Sequence, residues 1–172
     1  MTSRGLAVLC LAVGAFAVTP AAQALACSDS GAHPNAVSKA EYTRAVRCLV
    51  NVERARAGLA ALHADRRLAR AASRFSTAMV REGFFAHVSP EGSTLSSRAR
   101  GAGYPGGTLG ETIGWGSGDL ATPAAIVDAW MNSPPHRAVL LNGEFRRIGV
   151  GVEDGAPGGV DGAATVTAAL GG

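Results

Sequence analysis

The order of the periodic segments most limits the folds open to this chain, because helical patterns fill its front and middle and strand patterns come last. Apolar residues recur at helical spacing within residues 38–58 and again within 65–83, and each run opens on an N-cap residue and ends at a glycine. Small and β-branched residues repeat instead at 148–152 and 163–167, on either side of a Gly, Pro and Asp cluster. With no regular βαβ alternation, this order predicts an α+β domain that closes with a hairpin.

Both front helices have an apolar side and an arginine-rich side. In the first, Ser38 and Glu41 form a capping box. In the second, Asp65 is the N-cap and Phe75 belongs to the inward stripe. The arginines assigned to the polar sides are Arg44, Arg47 and Arg54 in the first helix and Arg66, Arg70, Arg74 and Arg81 in the second. We interpret the second set as a solvated face rather than a binding surface.

Shorter elements are predicted between these helices and the hairpin. Residues 95–100 favour a short helix, and residues 111–115 are partly apolar and fit a strand or an extended cleft edge. Thr-Pro at 122–123 is an N-cap followed by proline at the first helical position, and it starts a helix that Ser-Pro-Pro at 133–135 ends. The last five residues, 168–172, are expected to fray.

Residues 1–26 have the composition of a secretory signal peptide. Arg4 gives a positive start, residues 6–18 form a continuous apolar run, and small residues at 22–26 offer cleavage sites. The run is too short to span a bilayer, which takes about 20 residues, and no later segment replaces it. We therefore predict a secreted, extracellular protein without a transmembrane segment. A lipoprotein acylated at Cys27 is the alternative, although the segment before it lacks the large aliphatic residue expected three places upstream.

The chain that remains after cleavage is long enough for one domain. It has about 146 residues, which suits a single core. We divide it into an N-terminal arm with the start of the first helix, residues 27–44, and a domain over residues 45–172. Loss of Arg4 lowers the formal net charge from +3 to +2, which is too small to imply a nucleic-acid partner.

The cysteines also fit an exported protein. Loss of the signal removes Cys10 and leaves Cys27 and Cys48, an even pair. A disulfide between these two would close a loop of about 20 residues, tie the arm to the first helix and stabilise by about 3 kcal/mol in the chain-entropy model. The alternative is two unpaired thiols, one of them buried in the helix.

Three short segments rich in Gly, Pro or aromatic residues each carry one titratable side chain. Phe-Phe-Ala-His-Val-Ser-Pro holds His87, Gly-Glu-Thr-Ile-Gly-Trp-Gly holds Glu111, and Trp-Met-Asn-Ser-Pro-Pro-His-Arg holds His136. Two imidazoles and a carboxylate suit zinc and related divalent ions, and a catalytic zinc commonly keeps three protein ligands and a water. Without metal, the same groups suit acid/base catalysis, with Ser89 or Ser133 as nucleophile. A structural histidine–glutamate hydrogen bond without chemistry fits these residues as well.

Together with Asn-Val-Glu-Arg-Ala-Arg-Ala-Gly-Leu-Ala-Ala-Leu at residues 51–62, these segments resemble the cysteine-rich secretory and plant pathogenesis-related superfamily, also called the CAP or SCP domain. The order and spacing match its secreted bacterial branch from about residue 45 to the C-terminus. The resemblance implies a three-layer α-β-α sandwich with a mostly antiparallel central sheet. It also implies that His87, Glu111 and His136 converge in one cleft, as candidate catalytic residues and as ligands of an ion such as zinc.

Three positions depart from the pattern of that superfamily. Ser133 stands where many eukaryotic members carry a second cleft glutamate, so a four-residue site is not expected. Thr112 replaces the asparagine of Gly-Glu-Asn, and Phe75 stands where many bacterial relatives have a histidine in the second helix. These departures weaken any strict transfer of activity.

The resemblance favours a secreted binding module over an enzyme. Its cleft would take a divalent ion or a small amphipathic ligand, lipid- or sterol-like. Members of the superfamily are linked to sterol or lipid binding and to extracellular interaction. The alternative is a secreted, peptidase-like hydrolase that uses the same cleft residues with metal or as an acid/base set. A third class is an envelope-associated structural protein. Whether the chain is an enzyme is open at this point.

Overall fold

A computed structural model describes residues 27–172, and the predicted signal peptide and Cys10 lie outside this part of the chain. The described residues form five helices, four strands and two 3₁₀ turns. The helices are α1 (Lys39–Arg56), α2 (Arg66–Glu82), α3 (Leu95–Gly101), α4 (Pro123–Asn132) and α5 (Pro134–Leu140). The strands are β1 (His63–Ala64), β2 (Leu109–Ser117), β3 (Arg147–Asp154) and β4 (Ala163–Gly171), and the turns are Pro34–Ala36 and Gly118–Ala121. No helix among residues 27–172 has the length and apolarity that crossing a membrane requires.

The four strands form one mixed sheet in the order β1-β3-β4-β2. The β3–β4 hairpin and the β2–β4 pair are antiparallel, whereas the short β1 pairs with β3 in parallel. The α+β class and the closing hairpin are therefore confirmed. The two-residue strand β1 was not predicted, since it is too short to show a periodic pattern.

The expectation that residues 168–172 fray is wrong. Ala168, Ala169 and Leu170 belong to β4 and are fully buried. The reason is the position of β4 between β2 and β3, because both neighbours pair with it to the end of the strand. Gly172 also donates its N–H to the carbonyl oxygen of Thr108 at 2.9 Å.

Helices cover both faces of the sheet, as the three-layer sandwich requires. Ile148 and Val150 of β3 pack into the core cluster that includes residues of α1 and α4. Gly149 and Gly151 face α2, and a Cβ atom on either would lie within 2.2 Å of the α2 backbone. Only glycine therefore lets α2 lie directly on β3.

The helix boundaries follow the capping residues that the sequence indicates. Ser38 and Glu41 form both hydrogen bonds of a capping box at the start of α1. Asp65 accepts from two backbone N–H groups at the start of α2, and Gly83 ends that helix with φ at +70°. The Thr122 hydroxyl caps α4, where proline takes the first helical position.

The prediction that Arg54 lies on the polar side of α1 is wrong. Its side chain is fully buried rather than solvated. The guanidinium donates to the carbonyl oxygens of Ala60, Leu140 and Asn142, at 3.0, 2.7 and 2.9 Å. Arg54 thus satisfies carbonyl groups at the end of α5 from inside the protein.

The disulfide between Cys27 and Cys48 is present and joins the N-terminal arm to α1. A second contact fixes the same arm, since the N–H of Ala124 donates to the carbonyl oxygen of Ser30 at 2.8 Å. The arm is therefore attached to helices at two points.

Candidate functional site

The three predicted site residues lie at the β2 edge of the sheet. His87 lies in the loop between α2 and α3, Glu111 lies on β2, and His136 lies in the first turn of α5. Because β2 is the last strand of the sheet, its outer edge is open to loops from both helical layers. Trp130 of α4 reaches this edge and donates its indole N–H to the carbonyl oxygen of Ile113 at 3.0 Å.

Glu111 and His87 form a direct pair. The side chain of Glu111 is 5% exposed and that of His87 is 54% exposed, so the carboxylate lies behind the imidazole. His87 Nδ1 is 2.9 Å from Glu111 Oε1. The other carboxylate oxygen, Oε2, accepts from Arg98 Nη2 at 2.6 Å.

Arg98 connects Glu111 to the loop that carries His87. Its Nη1 donates to the carbonyl oxygens of His87, at 3.2 Å, and Ser93, at 2.7 Å. The guanidinium carbon lies 3.3 Å from the centre of the Phe75 ring, a cation–π arrangement. The side chain of Arg98 is 9% exposed, so a buried guanidinium compensates the charge of the buried carboxylate.

His136 has a different support from His87. Its Nδ1 is 2.9 Å from the hydroxyl oxygen of Ser133. Burial lowers the pKa of the His136 imidazole, and the nearby charge of His87 lowers it further. The two imidazoles are thus close enough to affect each other's charge, although no hydrogen bond joins them among the described residues.

The residues present fit a metal site of two imidazoles better than one of three ligands. Both oxygens of Glu111 are taken by His87 and Arg98. No group of three or more His, Cys, Asp and Glu side chains in residues 27–172 is arranged to hold a metal ion. Within the same residues, the Nε2 atoms of His87 and His136 have no hydrogen-bond partner, because each ring is held through Nδ1. Neutral imidazole nitrogen is a suitable zinc ligand.

The two candidate nucleophiles differ in their surroundings. The Ser89 hydroxyl accepts from the backbone N–H of Ser93 at 3.1 Å and has no histidine partner in the described chain. The Ser133 hydroxyl is paired with His136. Of these two candidates, only Ser133 is therefore paired with a histidine. Glu111 is hydrogen-bonded to the other histidine, His87, so no Ser-His-Glu triad forms among these described residues.

The departures at Thr112 and Phe75 have clear structural positions. Thr112 follows Glu111 on β2, so its side chain lies on the opposite face of the strand. It is fully buried, and its hydroxyl has no hydrogen-bond partner in the described chain. Phe75 lies beneath Arg98 and supplies an aromatic surface for the guanidinium.

Arg98 is the site residue that the sequence pattern did not identify. It was included only as part of a short helix. A signal was present, because Arg98 lies three residues after Leu95 and four before Ala102, on the side of α3 that turns inward. A charged residue at such a position indicates a buried partner of opposite charge.

Of two surface grooves, one borders this region and the other lies apart from it. A groove of about 320 Å³ lies between α2 and the following segment, and its lining includes Phe75, Ser89 and Arg98. A larger groove of about 500 Å³ lies along the N-terminal arm and α1, with Arg44 and Cys48 in its lining. Of these two, the smaller groove contacts the residues that support Glu111, so it is the groove relevant to the site.

Residues 48–168 match the CAP family, described as the cysteine-rich secretory protein family. This match covers most of the chain, and the order of the site segments and the fold agree with it. The chain therefore belongs to the CAP family, as the resemblance predicted.

Two curated proteins of Bacillus subtilis (strain 168) are similar in sequence. The chain is 38% identical over 123 residues to "Uncharacterized protein YkwD" and 37% identical over 105 residues to "Uncharacterized membrane protein YlbC". The matches cover 71% and 61% of this chain but 46% and 30% of those proteins. The chain thus spans less than half the length of the curated relatives it matches.

Solved structures show the same fold. An extracellular protein containing an SCP domain from Bacillus anthracis is 26% identical, with a TM-score of 0.64 over 78% of this chain and 43% of that one. An outer surface protein of Borrelia burgdorferi is 19% identical, with a TM-score of 0.67 over 78% of this chain and 95% of that one. A cysteine-rich secretory protein from Staphylococcus aureus is 19% identical, with a TM-score of 0.54 over 82% of this chain and 40% of that one. The two more distant likenesses bear on fold alone.

Proposed function

We propose that this CAP domain is an extracellular binding module whose cleft holds a divalent metal ion, such as zinc, between His87 and His136. The observation that carries the proposal is that both rings are held in the same way. Each imidazole is held through Nδ1, by Glu111 or by Ser133, and each leaves Nε2 without a partner in the described chain. Metal-binding histidines typically have their second ring nitrogen engaged in this way.

Each neighbour of the cleft has a defined part in this proposal. His87 and His136 supply the ligand nitrogens. Glu111 and Ser133 orient them, and Arg98 compensates the buried charge of Glu111. A bound divalent ion would supply a Lewis acid with coordination positions left for water or a ligand.

Extracellular location is part of the proposal. It is supported by the signal-like sequence of residues 1–26 and by the disulfide, which persists in oxidising compartments. The solved Bacillus anthracis relative, described as an extracellular protein, also supports it. Recovery of the disulfide-bonded protein from the culture medium or cell surface of its host would test this part directly.

Calorimetric titration of zinc into the purified protein tests the metal site. We expect saturable binding with about one ion per chain. The double variant His87→Ala/His136→Ala should lose this binding while its circular dichroism stays unchanged. The matched control is His33→Ala/His63→Ala, which removes two imidazoles elsewhere on the surface and should bind as the unmodified protein does.

Two results would reject the metal site. One is the absence of zinc binding by the folded protein. The other is binding of equal strength in the two double variants, which would place the ion away from the cleft. In either case a small amphipathic ligand becomes the stronger proposal, with the 320 Å³ groove beside Phe75 and Arg98 as its place.

A hydrolase is the second candidate, and the Ser133–His136 pair favours it. In such an enzyme His136 would accept the proton of the Ser133 hydroxyl as it attacks a carbonyl carbon. Incubation with a peptide library tests this, with Ser133→Ala as the decisive variant. Turnover that disappears in folded Ser133→Ala supports a hydrolase, whereas no turnover by the zinc-loaded and zinc-free protein rejects it.

A further inference from the structure

A chain of hydrogen bonds ends at Nδ1 of His87 and leaves Nε2 of the same ring without a partner in the described chain. It runs from Arg98 to Glu111 and from Glu111 to His87, with distances of 2.6 and 2.9 Å. The inner two side chains are 9% and 5% exposed, whereas the imidazole is 54% exposed. Two buried groups therefore act on one exposed ring.

The direction of each hydrogen bond follows from Arg98, where this series of hydrogen bonds begins. A guanidinium can only donate, so Glu111 Oε2 must accept from Arg98. A carboxylate paired with a guanidinium offers acceptors at both oxygens, so Oε1 must accept as well. His87 must then carry its proton on Nδ1. In the neutral ring the lone pair remains on Nε2, the nitrogen that has no partner in the described chain.

We infer that Arg98 is a positioning residue that, through Glu111, fixes the tautomer of His87 and so makes Nε2 the nitrogen available to a ligand. No family resemblance assigned a part to Arg98. Its effect on ligand binding rests on the proposed function, but its effect on the tautomer does not.

Other contacts of Arg98 hold its guanidinium in the orientation that sets the direction of these hydrogen bonds. Its Nη1 donates to the carbonyl oxygens of His87 and Ser93, and its plane lies over the Phe75 ring. Rotation of the guanidinium away from Glu111 would break these contacts together. Glu111 is thus the group that must adapt to Arg98.

The variant Glu111→Gln should reverse the tautomer of His87, and this reversal can be measured. Glutamine has the same shape but one acceptor oxygen and one donor NH₂ group. Arg98 requires the oxygen, so the NH₂ group faces His87 Nδ1. Nδ1 must then accept, and the imidazole proton moves to Nε2. When Arg98 is also removed, the amide can turn over and offer its oxygen to Nδ1–H.

Nitrogen NMR of the metal-free protein, with ¹⁵N-labelled histidine, reads the tautomer directly. We expect Nδ1–H in the unmodified protein, Nε2–H in Glu111→Gln, and a return towards Nδ1–H in Glu111→Gln/Arg98→Met. Glu111→Gln/Arg100→Met is the matched control, because exposed Arg100 lies on the same helix and its loss changes the charge equally. That control should keep Nε2–H.

Two results would overturn the inference. The first is Nδ1–H in Glu111→Gln, and the second is Nε2–H retained in full when Arg98 is removed from it. Should the glutamine variants not fold, Arg98→Met and Arg98→Lys carry the test. The methionine variant must shift the two ring-nitrogen signals of His87 and the lysine variant must restore them, and signals unchanged in Arg98→Met reject the inference.

Zinc affinity separates this inference from the proposed function. If both hold, Glu111→Gln weakens zinc binding by about ten- to a hundredfold, because Nε2 carries a proton in the metal-free state. If the tautomer reverses but the unmodified protein binds no zinc, the inference stands and the proposed function fails. If zinc binds through both histidines but the tautomer does not reverse, the inference alone fails.

Discussion

At the scale of single residues, the two cleft histidines have supports of different charge. Glu111 holds His87 with a carboxylate, whereas Ser133 holds His136 with a hydroxyl, each at 2.9 Å. Burial, and then the nearby charge of His87, lower the pKa of His136, so the folded protein opposes protonation of this ring.

This lowered pKa predicts a loss of stability as the pH falls. The unfolded chain binds a proton at His136 near the ordinary imidazole pKa of about 6.5, whereas the folded protein takes it up only at lower pH. The free energy of unfolding should thus fall as the pH drops below about 6.5. His136→Asn removes this contribution. Urea unfolding in metal-free buffer at about pH 7.5 and about pH 5.5, on either side of that value, should show a smaller loss in the variant, and an equal loss would contradict the assignment.

Thr112 carries a hydroxyl that the fold does not use. Because the group is fully buried and lacks a partner in the described chain, it costs desolvation without a compensating hydrogen bond. Thr112→Val should raise the free energy of unfolding by about 1 kcal/mol in a urea titration.

Thr167 supplies the matched control for that change. It is equally buried, but its hydroxyl accepts from Ser76 at 2.9 Å. Thr167→Val should lower the free energy of unfolding by about 1 kcal/mol, because it leaves Ser76 with a poorer partner. A fall in the free energy of unfolding in both variants would show that Thr112 has a partner after all.

At the scale of elements, Arg54 joins the end of α1 to the segment that follows α5. It lies on the buried side of the helix because it continues the four-residue spacing of Tyr42, Val46 and Val50. Its guanidinium donates to carbonyl oxygens of Ala60, Leu140, Asn142 and Phe145. These oxygens lie at or beyond helix ends, so the arginine acts as an internal cap for several chain segments.

Arg54→Met should therefore destabilise strongly. Methionine fills a similar volume but leaves the carbonyl groups without their donor, and the free energy of unfolding should fall by about 2–4 kcal/mol. Arg47→Met on the outer side of α1 is the control and should change it by less than about 0.5 kcal/mol. Equal effects of the two changes in chemical denaturation would show that Arg54 is not a structural link.

The helices were predictable because their signals are local. Capping residues, helical spacing and terminal glycines all act within a few residues of the element they define, as at Ser38 and Gly83. For the opposite reason, Arg54 was assigned to the wrong side of its helix and Arg98 was not identified as a site residue. Their partners lie 86 and 13 residues away, and a charge at an inward position shows only that some partner exists.

At the scale of the whole molecule, the fold places loops from both helical layers at one sheet edge. His87, Glu111 and His136 could be named from their sequence motifs. Their relative positions could not be predicted, because those positions depend on the sheet. The motifs locate the residues, but the pairing of β2 with β4 determines that β2 is the edge strand. The metal site itself remains a prediction, now with two imidazoles as ligands instead of three residues.

The disulfide contributes to the stability of the whole domain. It links residues 21 positions apart, and removal of such a link typically costs about 3 kcal/mol through the entropy of the unfolded chain. Cys27→Ser/Cys48→Ser should therefore lower the midpoint of thermal unfolding while leaving zinc binding intact, because the cleft residues lie on other segments of the chain. Calorimetry in the presence of a reductant should reproduce the loss. An unchanged midpoint would show that the arm adds nothing to the folded state.

X-ray absorption at the zinc edge tests the central claim most directly, because it counts the imidazole ligands of the bound ion. The account predicts two imidazoles in the zinc-loaded protein and none in His87→Ala/His136→Ala, with the His33→Ala/His63→Ala variant unchanged. A spectrum without imidazole scattering, or one that the loss of His87 and His136 leaves as it was, would contradict the claim that these two residues form the binding site.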